Sequence, residues 1–130
     1  MNEDEILNIL SGDPGNSVFS DFAEALHMQG NSEAAIIVCL KGLTANPSYN
    51  KGRLLLARIF YDLKFKPFCI DQLKILIKNL PKNKSLQNLL QKLDPQEFNR
   101  TTINLSTEIK TFAEAEFDFG EIELIEEDNK

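Results

Sequence analysis

Asn16–Tyr49, NSVFSDFAEALHMQGNSEAAIIVCLKGLTANPSY, is followed end to end by Asn50–Asn83, NKGRLLLARIFYDLKFKPFCIDQLKILIKNLPKN, a second block of the same length. At this offset Asn16/Asn50, Ala23/Ala57, Ile36/Ile70 and Pro47/Pro81 are identical. Few residues match, but the order of large and small ones is shared. The first block reads Phe19, Phe22-Ala23, Leu26, then Ala35, Cys39 and Pro47. The second reads Arg53, Leu56-Ala57, Phe60, then Cys69, Leu73 and Pro81. Apolar residues at helical spacing predict two helices per block. In the first, Ser17–Met28 leads and Ser32–Ala45 follows, presenting Ala35, Ile36, Cys39, Leu40 and Leu43. Gly30 is free to adopt positive φ in the turn between them, and Asn31 or Ser32 can cap the next helix. Asn46-Pro47 stops it, because proline lacks an amide hydrogen and restricts its predecessor. In the second, Lys51–Leu63 leads and a helix starting at Pro67 carries Phe68, Ile70, Leu73, Leu76 and Ile77 to Leu80. A missing amide hydrogen costs nothing at a helix start.

A period of this length, with bulky, bulky-small and bulky residues on a first helix, small and bulky on a second, then proline, resembles a pair of tetratricopeptide repeats (TPR). The string Val18-Phe19, Ala23-Glu24-Ala25-Leu26, Val38-Cys39-Leu40-Lys41-Gly42-Leu43, Asn46-Pro47-Ser48-Tyr49, Gly52-Arg53 and Leu56-Ala57-Arg58 is similar to bacterial members of that family. The second block departs from the pattern at Arg53, where a large apolar residue is usual, and at Lys64, where the first has Gly30. The resemblance implies an all-α fold, a short TPR-like solenoid of antiparallel helix hairpins, with leading helices on a concave face and following helices on a convex back.

Three regions are expected: residues 1–15, residues 16–95 and residues 96–130. In the first, Glu3–Ser11 is a short amphipathic helix carrying Ile6, Leu7, Ile9 and Leu10, with Glu3, Asp4 and Glu5 in the turn where acids favour the helix dipole. Its apolar face is expected to cover the open side of the first repeat. The second holds repeats 16–49 and 50–83 and a capping helix in 84–95, with Leu86, Leu89, Leu90 and Leu93 on one face and a polar outer face, as solenoid ends require. In the third the repeat ends. Leu105, Ile109 and Phe112 form a sparse helical stripe. Phe117-Asp118-Phe119-Gly120-Glu121-Ile122-Glu123-Leu124 alternates apolar and acidic residues, and reads equally as an extended segment or a disordered interaction tail. Glu126–Lys130 reads as disordered.

The net charge of -6 is unevenly spread. Residues 1–50 hold seven acids and one base, residues 51–100 eleven bases and four acids, and residues 101–130 nine acids and two bases. A basic middle between acidic ends speaks to association rather than fold. No run of about 18 apolar residues indicates a membrane span, and the acidic start is unlike an export signal, so a cytoplasmic location is the expectation. Cys39 and Cys69 fall at core positions and are expected as buried free thiols.

His27 is the single histidine, and it has no partner motif for catalysis or for a metal. No phosphate loop, nucleophile elbow or calcium loop is present. The chain therefore reads as a non-enzyme with no cofactor. By repeat position, the resemblance implies a groove lined by Ser17, Ser20, Glu24, His27 and Met28 from the first unit. The second contributes Lys51, Leu54, Arg58, Tyr61 and Asp62, and Asn88 and Lys92 extend the strip on the capping helix. Lys51 and Arg58 lie two helical turns apart and share a face, with Tyr61 in reach. Such a cation pair suits a carboxylate-bearing apolar peptide. The family's clamp for C-terminal carboxylates needs cationic or amide residues where Ser20 and Glu24 stand, so that ligand is not assigned. The expected function is an adaptor that binds a peptide or partner protein in the groove. A chaperone for an exported subunit, similar to the small acidic TPR proteins of type III secretion, is the alternative. Nucleic-acid binding by the basic middle ranks lower, because Lys51, Arg53, Arg58, Lys64, Lys66, Lys74, Lys78, Lys82 and Lys84 are spread over two helices and connectors and the acidic ends repel phosphate. The charge contrast also suggests that Phe112–Ile125 occupies the basic groove of its own or a neighbouring molecule.

Overall fold

In the computed structural model, residues 2–95 are described and form six helices: α1 (Glu3–Gly12), α2 (Val18–Met28), α3 (Ser32–Ala45), α4 (Asn50–Asp62), α5 (Lys66–Asn79) and α6 (Lys84–Leu93). No strand occurs among the described residues, so the all-α class holds there. The expectations for Leu105, Ile109, Phe112 and Phe117–Leu124 lie outside them. No helix among the described residues is long and apolar enough to cross a membrane.

Local chemistry accounts for the helix ends. Asn2 Oδ1 accepts from the Glu5 amide at 2.8 Å, capping α1 ahead of its three acids. Asn83 Oδ1 accepts from the Leu86 amide at 3.1 Å and caps α6 in the same way. At α3 the expected cap does not form: Asn31 makes no side-chain cap bond, and Ser32 turns its hydroxyl to His27 instead. Pro67 sits in the first turn of α5, as anticipated. Both hairpin turns use a left-handed residue, Gly30 at φ 85° and Lys64 at φ 66°. Lys64 thus takes the same backbone conformation as its counterpart, at a cost glycine does not carry.

The helices pack in sequence, α2 on α3, α3 on α4, α4 on α5 and α5 on α6, and α2 also touches α4. Helix α4 serves two cores. Leu56 and Ile59 join Phe19, Ala23, Ala35, Cys39 and Leu43. Ala57 joins Cys69, Ile70, Leu73, Leu76 and the buried leucines of α6. The small residues recur at the same register, Ala23 with Ala35 in one core and Ala57 with Cys69 in the other, all fully buried. Each thiol belongs to a different core and both are free. Burial pushes the Cys39 thiol up to about 12. Burial, and secondarily the charge of Asp62, pushes Cys69 to the same level.

Phe19 explains the departure at Arg53. Its ring lies against Gly42 and Gly52, and edge-on to Tyr49 with centroids 5.5 Å apart. The residues that correspond to Phe19, Gly42 and Gly52 one block later are Arg53, Leu76 and Leu86. Leu76 and Leu86 are fully buried, so two leucines fill the volume that the phenylalanine ring fills in the first core. Arg53 turns aside. Its guanidinium donates to Gln72 Oε1 at 2.8 Å and to the Pro47 carbonyl at 3.1 Å, while Nε is buried without a partner. Burial lowers its pKa.

Two expectations about burial need correction. Leu40 is 48% exposed and Phe68 is 54% exposed, because each lies at the edge of its helix's apolar stripe rather than inside it. No residue of α1 is buried: Leu10 packs against the first core, and Leu7 remains exposed.

Candidate functional site

Along α2, Asp21, Glu24 and His27 follow one another at three-residue steps and so stay on one side of the helix. Lys51, Arg58 and Asp62 do the same on α4 at steps of seven and four. The two rows meet. Lys51 Nζ lies 3.9 Å from Asp21 Oδ1. Arg58 Nη1 donates to Glu24 Oε2 at 3.3 Å, and His27 Nε2 is 2.7 Å from Asp62 Oδ2. Both members of successive pairs advance in the same direction, so α2 and α4 run parallel, side by side.

Arg58 Nε also lies 3.9 Å from Asp62 Oδ2, which makes Glu24, Arg58, Asp62 and His27 one connected network. The His27 ring is largely covered and bonded at both nitrogens, with Nδ1 2.7 Å from Ser32 Oγ. The Ser32 hydroxyl and the Asp62 carboxylate thus hold the two ring nitrogens from opposite sides. His27 therefore ties α2 to both α3 and α4.

The expected groove residues divide into three groups. Glu24, His27, Lys51, Arg58 and Asp62 are brought together in the cross-helix rows. Ser20, Leu54 and Tyr61 serve packing. Ser20 is only 3% exposed, donates to the Ser17 carbonyl at 3.1 Å and lies 3.4 Å from the Tyr49 hydroxyl. Leu54 and Tyr61 are half-buried against the second core. Ser17, Met28, Asn88 and Lys92 are exposed, the last two on α6, and Met28 at 72% is the most exposed large apolar side chain among the described residues.

Asp21 and Ser32 are functional neighbours that the repeat positions did not nominate. Asp21 had a signal, since it lies one step before Glu24 and His27 on the same face. Ser32 belongs to α3, so its contact is visible only in three dimensions.

The electrostatics differ from the carboxylate-binding cation pair expected from sequence. Arg58 already faces two carboxylates, and Lys51 faces a third. An acidic ligand has to displace Glu24 or Asp62 to reach Arg58. Lys51 is the more open cation, because its side chain is mostly exposed and its partner is distant. Among the described residues, no group of three His, Cys, Asp or Glu side chains is placed to hold a metal ion. Comparison with family models, with curated proteins and with solved structures finds no match to this chain.

Proposed function

We propose that the α2–α4 face binds an extended segment of a partner protein, and that the chain acts as an adaptor built from two TPR-like hairpins. The observation that carries this is the pair of parallel helices joined by three cross-helix contacts, with the exposed Met28 at one end and the open Lys51 at the other. The α3 and α5 helices begin and end at the same block offset, and both turns use a left-handed residue, which supports the repeat reading. The internal ion pairs pre-shape the surface, which lowers the ordering cost of binding. Lys51 contacts an acidic side chain of the partner. Met28, unbranched and adaptable, takes an apolar one.

Affinity capture from a cell extract, with the bound proteins identified by mass spectrometry, tests this. Lys51→Glu combined with Met28→Ser is expected to lose a partner that Ile37→Ser combined with Leu40→Ser retains. Ile37 and Leu40 are exposed on α3 and serve as the control surface. Thermal melts of both variants confirm that folding is intact. Retention of every partner by the Lys51/Met28 variant contradicts the proposal.

A further inference from the structure

The tip of the second hairpin carries an aromatic patch that the fold does not require. Phe65 is 46% exposed and Phe68 is 54% exposed. Phe68 lies against Phe60 with ring centroids 5.4 Å apart, and edge-on to Phe65 at 6.1 Å. The same turn in the first hairpin has Asn31 and Ala34 at the corresponding positions and reaches the same left-handed backbone conformation. The turn therefore forms without aromatic residues, and Phe65 and Phe68 leave apolar surface in water for some other reason. Lys64 and Lys66 flank Phe65 in sequence.

We propose that Phe117–Leu124 of the same molecule covers the Phe65–Phe68 patch. The chemistry is complementary: Phe117, Phe119, Ile122 and Leu124 are apolar, and Asp118, Glu121 and Glu123 oppose the lysines around the patch. In an extended segment Phe117 and Phe119 share one side, followed on that side by Glu121 and Glu123, while Ile122 and Leu124 fall on the other; the first side can set its two rings on the patch with its two carboxylates toward the lysines. Reach is not limiting. The 21 residues between Pro95 and Phe117 span up to roughly 70 Å when extended, and a domain of this size has a radius of gyration of only about 12 Å. A tether of this length also holds the segment at about millimolar effective concentration, which favours the same molecule over a second copy. The patch lies outside the α2–α4 rows, so the inference stands apart from the proposed function.

Hydrogen exchange of the full chain, read by mass spectrometry, tests it. Slowed exchange over residues 117–124 is expected, and Phe65→Ser combined with Phe68→Ser should speed it by about tenfold or more. In the converse variant, Phe117→Ser combined with Phe119→Ser, the amides around Lys64–Cys69 should speed up while the α2–α3 hairpin is unchanged. The slowed exchange should persist on dilution. Exchange over 117–124 that is unprotected, or unaffected by the Phe65/Phe68 variant, overturns the proposal. Protection lost on dilution assigns the patch to a second copy and overturns it equally.

Discussion

The ring of Phe19 rests on the bare backbone of Gly42: a Cβ placed on that glycine would lie 2.4 Å from Phe19 Cγ. Gly52 on α4 meets the other end of the ring, where a Cβ would lie 2.5 Å from Phe19 Cζ. Two glycines within helices, Gly42 in α3 and Gly52 in the first turn of α4, cost up to about 1 kcal/mol each of helix propensity, offset by the burial of a whole phenylalanine. The ring thus joins α2, α3 and α4.

Gly42→Ala should destabilise the chain by about 1–3 kcal/mol in urea unfolding, because the methyl group meets an aromatic ring that has no room to move. Phe19→Leu should cost about 1–2 kcal/mol alone. The double variant should cost less than the sum, since the smaller side chain relieves the clash. Additive costs would show that the two residues do not share the space.

Lys64→Gly should stabilise by about 1 kcal/mol, because glycine takes positive φ without the steric penalty of a Cβ. Gly30→Ala at the matching turn should destabilise by a similar amount, although nothing crowds a Cβ there. Urea midpoints of both variants check the pair.

How much of this was legible in the sequence depends on the range of the interaction. The bounds of α3, the positive φ at Gly30 and the turn at Pro47 follow from residues within a few positions of each other. The exchange of Phe19, Gly42 and Gly52 for Arg53, Leu76 and Leu86 involves three helices, so only the odd arginine was visible in advance. Leu40 counts with Ala35, Ile36, Cys39 and Leu43 in the apolar pattern of α3, but it is next in sequence to the buried Cys39. One residue is about 100° around a helix, which carries Leu40 to the edge of the stripe. At the site, the shared face of Lys51 and Arg58 follows from spacing alone. Their engagement by Asp21, Glu24 and Asp62 depends mostly on how α2 lies beside α4, which no single-helix pattern contains.

The thiols supply a pH test. Burial raises both Cys39 and Cys69 to about 12, above the ordinary value near 8.5. The folded chain then holds protons that the unfolded chain releases, so this contribution to stability is fully present below about pH 8.5 and is lost as the pH rises toward 12. Urea midpoints should fall through that range, and Cys39→Ala combined with Cys69→Ala should flatten the fall. At pH 8 a thiol reagent should react slowly with the native chain and quickly in denaturant.

A double-mutant cycle on Glu24→Ala and Arg58→Ala should return a coupling of about 0.2–1 kcal/mol, the range of a partly exposed ion pair, and added salt should shrink it. A coupling of zero at low salt would remove this pair from the α2–α4 contact.

The most direct test of the binding face is a photo-reactive amino acid placed at position 51 and, in a separate protein, at position 40, each irradiated in cell extract. Position 51 is predicted to cross-link to a partner protein that position 40 does not reach. Cross-linking from position 40 but none from position 51 would contradict the account.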